Sequence, residues 1–254
     1  MSGHYSLIQC IELFHLLFLD QFGRKIDKSH YVLKGGCNLR FFLKSIRYSQ
    51  DMDLDIHTVR KDTLENTVNR ILESTAFSLM LRAKNLEIVH ISVPKQTNTT
   101  QRWKMHIKQT NDATPIHTKI EFSRREREEP SLFEAIDPLI IGSYRLTPIY
   151  ASHYSMEQAL IQKIWALILR TETQARDIFD IIHLLDMGIK KPEILPAMKD
   201  RLKEAEANAL SIPFHAFKSQ VISYLPLEYH SQYDDPNYWD KMLFQVCNAI
   251  NEML

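Results

Sequence analysis

The sequence is short of several things, and each shortage narrows what the chain can be. Only three cysteines occur in 254 residues, Cys10, Cys37 and Cys247, and no two stand in CxxC spacing. An odd, unpaired set speaks against a disulfide framework or a zinc site and fits a reducing cytoplasm. Charge of one sign is not in excess either, since 31 basic residues balance 31 acidic ones. No global electrostatic footprint announces nucleic acid or an anionic membrane, so any polyanion site must be local. No apolar run approaches the roughly 18 to 20 residues that cross a bilayer, and no membrane partner is expected. The stretch Leu7 to Leu19 resembles a secretory leader, but Gln9, Glu12 and His15 interrupt it and no basic n-region precedes it. Its apolar positions Leu7, Ile11, Phe14 and Phe18 follow helical spacing, which predicts an amphipathic core helix. Glycine is the last scarcity, with six in the whole chain, and two of these are adjacent at Gly35 and Gly36.

What is present is the composition of an ordinary globular protein, 44% hydrophobic and 24% charged. The length suits two lobes. Tyr31-Val32-Leu33 reads as a strand ending at the Gly35-Gly36 turn, with a helix over Leu39 to Ile46. Asp51 to Ile56 alternates acidic with apolar residues in period two, the pattern of a strand with one polar face. Lys61 to Met80 has helical periodicity, and strands are predicted near Leu86 to Val93, Trp103 to Lys108 and His117 to Phe122. Beyond Ser143 to Tyr150 the signals are helical. Ser155 with Gln158 looks like a capping box for a helix to about Arg170. A second helix runs from Ala175 to Met187 and stops at Gly188. Further helices are expected at Pro192 to Ala209, Pro213 to Tyr224 and Tyr238 to Leu254. The expected fold is α+β: a small mixed β-sheet lobe with flanking helices over residues 1–150, an all-helical lobe over 151–254, and a cleft between them.

The chemistry concentrates on the acidic strand. Asp51, Asp53 and Asp55 project from one face about 7 Å apart at each step, and like charges so placed are costly without a cation. Two readings stand: carboxylates holding a divalent metal, most suitably magnesium, or a solvated acidic edge strand. The upstream Gly35-Gly36 turn, entering a helix, can present backbone N–H groups to phosphate, or it is simply a turn. Arg40, Arg47 and Ser49 lie around the strand and favour a triphosphate cradle beside a metal site.

The run Lys34-Gly35-Gly36-Cys37-Asn38-Leu39-Arg40, followed by Arg47-Tyr48-Ser49-Gln50-Asp51-Met52-Asp53, resembles the signature of the AbiEii/AbiGii nucleotidyltransferase toxins. That family lies within the DNA polymerase β-like superfamily, and its pattern is approximately KGGTALR and then RxSxDxD. A second block, Lys163 to Arg170 and then Arg176-Asp177-Ile178-Phe179-Asp180, resembles the family's KxxAxxxR and RDxxD elements. The resemblance covers residues 30 to 185. It implies Asp51 and Asp53 as metal carboxylates and a third from a later strand, for which Glu121 is the candidate, with Asp112 or Glu126 behind it and Asp55 in reserve. Nucleotide contacts are implied for Gly35, Gly36, Cys37, Arg40, Arg47 and Ser49. Lys163 is implied as a catalytic and triphosphate contact, against a plain snorkelling reading. Asp177 and Asp180 either face the cleft or clamp the helical hairpin. Cys37 departs from the family's Thr or Ser, and Asn38 replaces a small residue.

The resemblance further implies two magnesium ions, a nucleoside triphosphate substrate and transfer of a nucleotide to RNA, such as the tRNA 3′ end, with pyrophosphate release. A cognate antitoxin is the implied protein partner, in a phage-defence toxin–antitoxin system. Arg102, Lys104, Lys108, Lys119, Arg124, Arg125 and Arg127 offer a track for an RNA backbone, diluted by Glu126, Glu128 and Glu129. Two alternatives remain: a two-metal RNA phosphodiesterase or nuclease, and a catalytically silent antitoxin-binding module.

Overall fold

The computed structural model describes residues 5–110, 112, 114–124, 130–189 and 196–253. Arg125, Arg127, Glu126, Glu128 and Glu129 lie outside these residues, as does the start of the helix expected at Pro192. The chain forms two compact units, one of Met1–Lys44 with Tyr48–Tyr154, the other of Ser45–Arg47 with Ser155–Leu254.

The first unit is built on one seven-stranded mixed sheet. Its strands are β1 (Tyr31–Lys34), β2 (Met52–Ile56), β3 (Leu86–Gln96), β4 (Thr100–Gln109), β5 (Ile116–Arg124), β6 (Ser131–Ala135) and β7 (Tyr150–Tyr154), in the order β3-β4-β5-β2-β1-β7-β6. The pairs β2–β5 and β1–β7 are parallel and the others antiparallel. The sequence shows no sign of β6 or β7. Every residue of β6 is exposed and so lacks an alternating pattern, and β7 reads Tyr-Ala-Ser-His-Tyr with no β-branched residue.

Helices α1 (Leu7–Gly23), α3 (Lys61–Leu72) and α4 (Thr75–Arg82) pack with the inner face of this sheet. Ser6 and Gln9 form a reciprocal capping box that starts α1. The helix runs four residues past Leu19, and every residue from Cys10 to Leu19 is buried, so it is a core helix on all sides rather than an amphipathic one. The single helix expected over Lys61 to Met80 is two, because Ser74 accepts a hydrogen bond from the Phe77 amide at 3.1 Å and caps a new start. The helix after the glycine pair is also shifted: α2 spans Gly35–Phe41, not Leu39 to Ile46. It cannot extend through Lys44, whose φ of 56° is left-handed. Short α5 (Pro138–Ser143) completes the unit.

The second unit is all helix among its described residues: α6 (Met156–Leu169), α7 (Ala175–Asp186), α8 (Pro196–Lys199), α9 (Leu202–Leu210), α10 (Phe214–Gln220), α11 (Leu227–Tyr233) and α12 (Pro236–Asn251). The Ser155 side chain caps α6, and Gly188, at φ 76°, follows α7 in the conformation glycine adopts without penalty. Trp239 stacks on Phe217 and donates its ring N–H to the Ile212 carbonyl at 3.2 Å, which ties α12 to α10. No helix among the described residues is long and apolar enough to cross a membrane.

Candidate active site

Strand alternation sorts β2 into two faces. Met52, Leu54 and Ile56 enter the core, which leaves Asp53 and Asp55 on the opposite face, with Asp51 one step ahead of the strand. Their fates differ. The Asp55 side chain is 2% exposed, held by the Lys34 ammonium at 2.5 Å and by the Tyr154 hydroxyl at 2.8 Å. Asp53 remains 33% exposed, and the Lys119 ammonium stands 3.8 Å from its Oδ1 and 3.2 Å from Asp51 Oδ2. Glu121 on β5 is the register partner of Asp53, so the two carboxylates share a face on adjacent strands. Arg102 on β4 lies opposite Glu121 and forms an ion pair with it. Lys119 and Arg102 read in sequence only as parts of a basic track. Parity puts Lys119 on the face of Glu121, two residues before it, but the pairings with the carboxylates depend on the register between strands.

The turn from β1 into α2 closes against this face. Gly35 has φ 66°, the left-handed conformation that glycine adopts without penalty, and a Cβ there would lie 3.2 Å from Asp53 Oδ2 and press on that carboxylate. The Cys37 thiol at 3.3 Å and the Ser49 hydroxyl at 2.8 Å both donate to the Asp51 carbonyl and fix the approach to the strand. Behind them His15 is fully buried between Thr118, at 2.8 Å from Nε2, and the Cys37 sulfur, at 3.6 Å from Nδ1. Burial pushes this imidazole down to about 3 against the pull of Asp53, so it is neutral at physiological pH. Burial, and then the Asp53 charge, push the Cys37 thiol well above its ordinary value, and it serves as a protonated donor rather than a nucleophile. His15 gave no functional signal in the sequence beyond interrupting an apolar run.

Other residues of the first motif have structural partners. Arg40 donates to Glu12 Oε1 at 2.7 Å and lies over the Tyr48 ring, while Tyr144 donates to Glu12 Oε2 at 2.7 Å. The Asn38 amide donates to the Tyr154 carbonyl at 2.9 Å, and its oxygen stands 3.0 Å from His153 Nδ1.

Within the helical unit the remaining motif residues meet one another. Arg47 donates to Asp180 through Nε at 3.1 Å and Nη2 at 2.8 and 2.9 Å. The buried Lys163 ammonium lies 2.6 Å from Asp180 and 2.9 Å from Asp177, and Arg170 reaches Asp177 at 3.4 Å. Burial alone would push the Asp180 carboxyl up, but Arg47 and then Lys163 outweigh it and hold it below the usual carboxylate range.

As for a divalent cation, Asp51 and Asp53 offer the oxygen donors that magnesium prefers, and Lys119 marks where positive charge sits beside both. Among the described residues no three ligating side chains are gathered closely enough to hold an ion as they stand. The donor set fits a divalent cation in chemical type and in its shared face.

The family model for the AbiEii nucleotidyl transferase toxin of type IV toxin–antitoxin systems matches residues 17–242. The chain belongs to the AbiEii nucleotidyltransferase toxin family. Solved structures agree on the fold: JHP933 from Helicobacter pylori superposes with a TM-score of 0.63 at 17% identity, over 99% of this chain and 93% of that one. MenT4, a nucleotidyltransferase toxin from Mycobacterium tuberculosis, gives 0.59 at 15% identity, over 97% of this chain and 92% of that one. A comparison with curated proteins finds no match. Membership of the AbiEii family carries nucleotidyl transfer as the activity class and places the α+β architecture among nucleotidyltransferase toxins.

Proposed function

We propose that this AbiEii protein transfers a nucleotide from a nucleoside triphosphate to a hydroxyl of an RNA acceptor, such as the tRNA 3′ end, releasing pyrophosphate. The observation that carries this reading is the rung Arg102–Glu121–Asp53 across β4, β5 and β2, closed on one side by the Gly35 turn. Asp51, Asp53 and Glu121 would hold two magnesium ions. When bound, magnesium supplies charge neutralisation on the triphosphate and a lowered pKa at the attacking hydroxyl. Lys119 and Arg102 neutralise the carboxylates before substrate arrives and turn to the phosphates afterwards, both being partly exposed and long enough to swing. The Gly35-Gly36 backbone and Ser49 line the phosphate side. A cognate antitoxin, the partner that a toxin–antitoxin family implies, would act on this chemistry from outside.

Lys163 takes a different part from the triphosphate contact its motif suggests. An ammonium shared between two buried carboxylates is already neutralised, so we assign Lys163, Arg47, Asp177 and Asp180 to the framework of the helical unit.

The test is Glu121→Gln, which keeps shape and removes charge. Transfer should fall by orders of magnitude with little change in nucleotide binding. A rate near wild type would remove Glu121 from the site.

A further inference from the structure

The outer face of β3, β4 and β5 continues the rung of the candidate site toward the sheet edge. Strand β4 alternates strictly, with Gln101, Trp103, Met105, Ile107 and Gln109 buried and Arg102, Lys104, His106 and Lys108 turned the other way. Register then lays its outward residues into rows. Lys95, Arg102, Glu121 and Asp53 form one row across four strands. Ser92, Lys104 and Lys119 form the next, and His90, His106 and His117 the one beyond, with Glu87 and Lys108 after that. Five cations thus stand on the outer face of these three strands: Arg102 pairs with Glu121, Lys108 with Glu87 at 3.0 Å, and Lys119 lies beside Asp51 and Asp53, while Lys95 and Lys104 are exposed.

The histidine row brings three rings together, tilted against one another by 55° and 72°, so that each presents its own face rather than a shared plane. The centroids of His90 and His106 are 5.1 Å apart, and those of His106 and His117 are 4.1 Å apart. His90 and His117 are exposed. Desolvation, then the neighbouring His117 and His90, lower His106 below the ordinary imidazole value, which favours the neutral ring whose face can stack on a base. The row lies four residues along β4 from Arg102, which is about 13 Å at strand rise. Cations that can hold phosphates, interleaved with flat rings that can stack on bases, are the combination by which sheet surfaces bind single-stranded nucleic acid.

We propose that this face is the track on which a single-stranded RNA segment lies as its end approaches Asp53. Lys95, Lys104 and Lys108 hold phosphates, and the row His90, His106, His117 stacks bases. The inference rests on the RNA acceptor of the proposed function and deepens it by naming the docking surface. An acidic protein partner matches the cations but gives no use to the ring row.

The test is fluorescence anisotropy with a labelled single-stranded RNA oligonucleotide, without nucleotide or magnesium, on the full chain. Lys104→Glu with Lys108→Glu should weaken binding at least tenfold and reduce the salt slope by about 1.4, two phosphate contacts' worth. His106→Ala should weaken it about fivefold or more through lost stacking. Lys241→Glu, a single charge reversal of the same kind on an exposed position of α12, should change little. Wild-type affinity in both β4 variants overturns the track. So does binding of poly-glutamate in preference to RNA, which would mark a site for an acidic protein. Failure of nucleotide transfer with RNA binding intact would strike the proposed function instead, leaving this surface standing.

Discussion

Lys163→Ala separates a framework lysine from a triphosphate ligand, and the geometry gives the size of its effect. The ammonium neutralises Asp177 and Asp180, both fully buried, at 2.9 and 2.6 Å. Removing one partner of a buried ion pair costs about 3–5 kcal/mol, because the charge left behind is uncompensated. Here Asp180 keeps Arg47 at 2.8 Å and Asp177 keeps Arg170 at 3.4 Å. The loss should therefore lie at the low end, about 3 kcal/mol, whereas Asp180→Ala strips both Arg47 and Lys163 of a carboxylate and should reach about 5 kcal/mol. For a unit of this size each kcal/mol moves the melting temperature by roughly 4–8 °C, so even the milder variant should melt at least ~10 °C lower. Thermal unfolding followed by circular dichroism reads this directly, and triphosphate titration of the folded variant supplies the contrast. A pH series adds the sign. The Asp180 carboxyl is depressed in the folded state, so its contribution is full above its unfolded value of about 3.9 and fades as pH falls through the folded one. The stability difference between wild type and Asp180→Asn should be flat above about pH 5 and shrink below about pH 4. An unchanged melting temperature in Lys163→Ala, together with a large loss of triphosphate affinity, would refute the framework assignment and restore Lys163 to the nucleotide.

Two further substitutions divide stability from activity along the first motif. Asp55→Ala should destabilise by about 3 kcal/mol, since Lys34 and Tyr154 lose their shared acceptor, while the folded variant retains transfer. An activity loss matching that of Asp53→Ala in folded protein would show that Asp55 belongs to the site. Gly35→Ala should cost about 1–2 kcal/mol for its left-handed φ alone, and its new Cβ should also press on Asp53 Oδ2 and depress transfer beyond the stability loss. Wild-type turnover in Gly35→Ala would contradict the close approach.

The parts legible in sequence are those whose cause is local. Period-two alternation in Asp51 to Ile56 marks the strand, and a glycine pair in a glycine-poor chain marks the strand-to-helix turn. Ser155 and Gly188 mark helix ends because caps act within a few residues. What stayed hidden depends on partners distant in sequence. Nothing near Arg40 announces Glu12 twenty-eight residues earlier, and nothing near Arg47 announces Asp180, 133 residues on. Both arginines read as phosphate contacts because a lone basic residue beside a phosphate-like turn carries no sign of an existing carboxylate. The transfer of Ser45–Arg47 to the helical unit is invisible for the same reason. Strand β6, exposed on every residue, has no inward face to write a pattern.

The central claim is nucleotidyl transfer at the Asp51–Asp53 face, and the position of a radiolabel tests it most directly. The protein is incubated with magnesium, total RNA and nucleoside triphosphates labelled either at the α- or at the γ-phosphate. The account predicts that α-label enters RNA, that γ-label leaves as pyrophosphate, and that Asp53→Ala abolishes both while remaining folded. Entry of γ-label into RNA, shortening of the RNA without any label, or full activity of Asp53→Ala would contradict it.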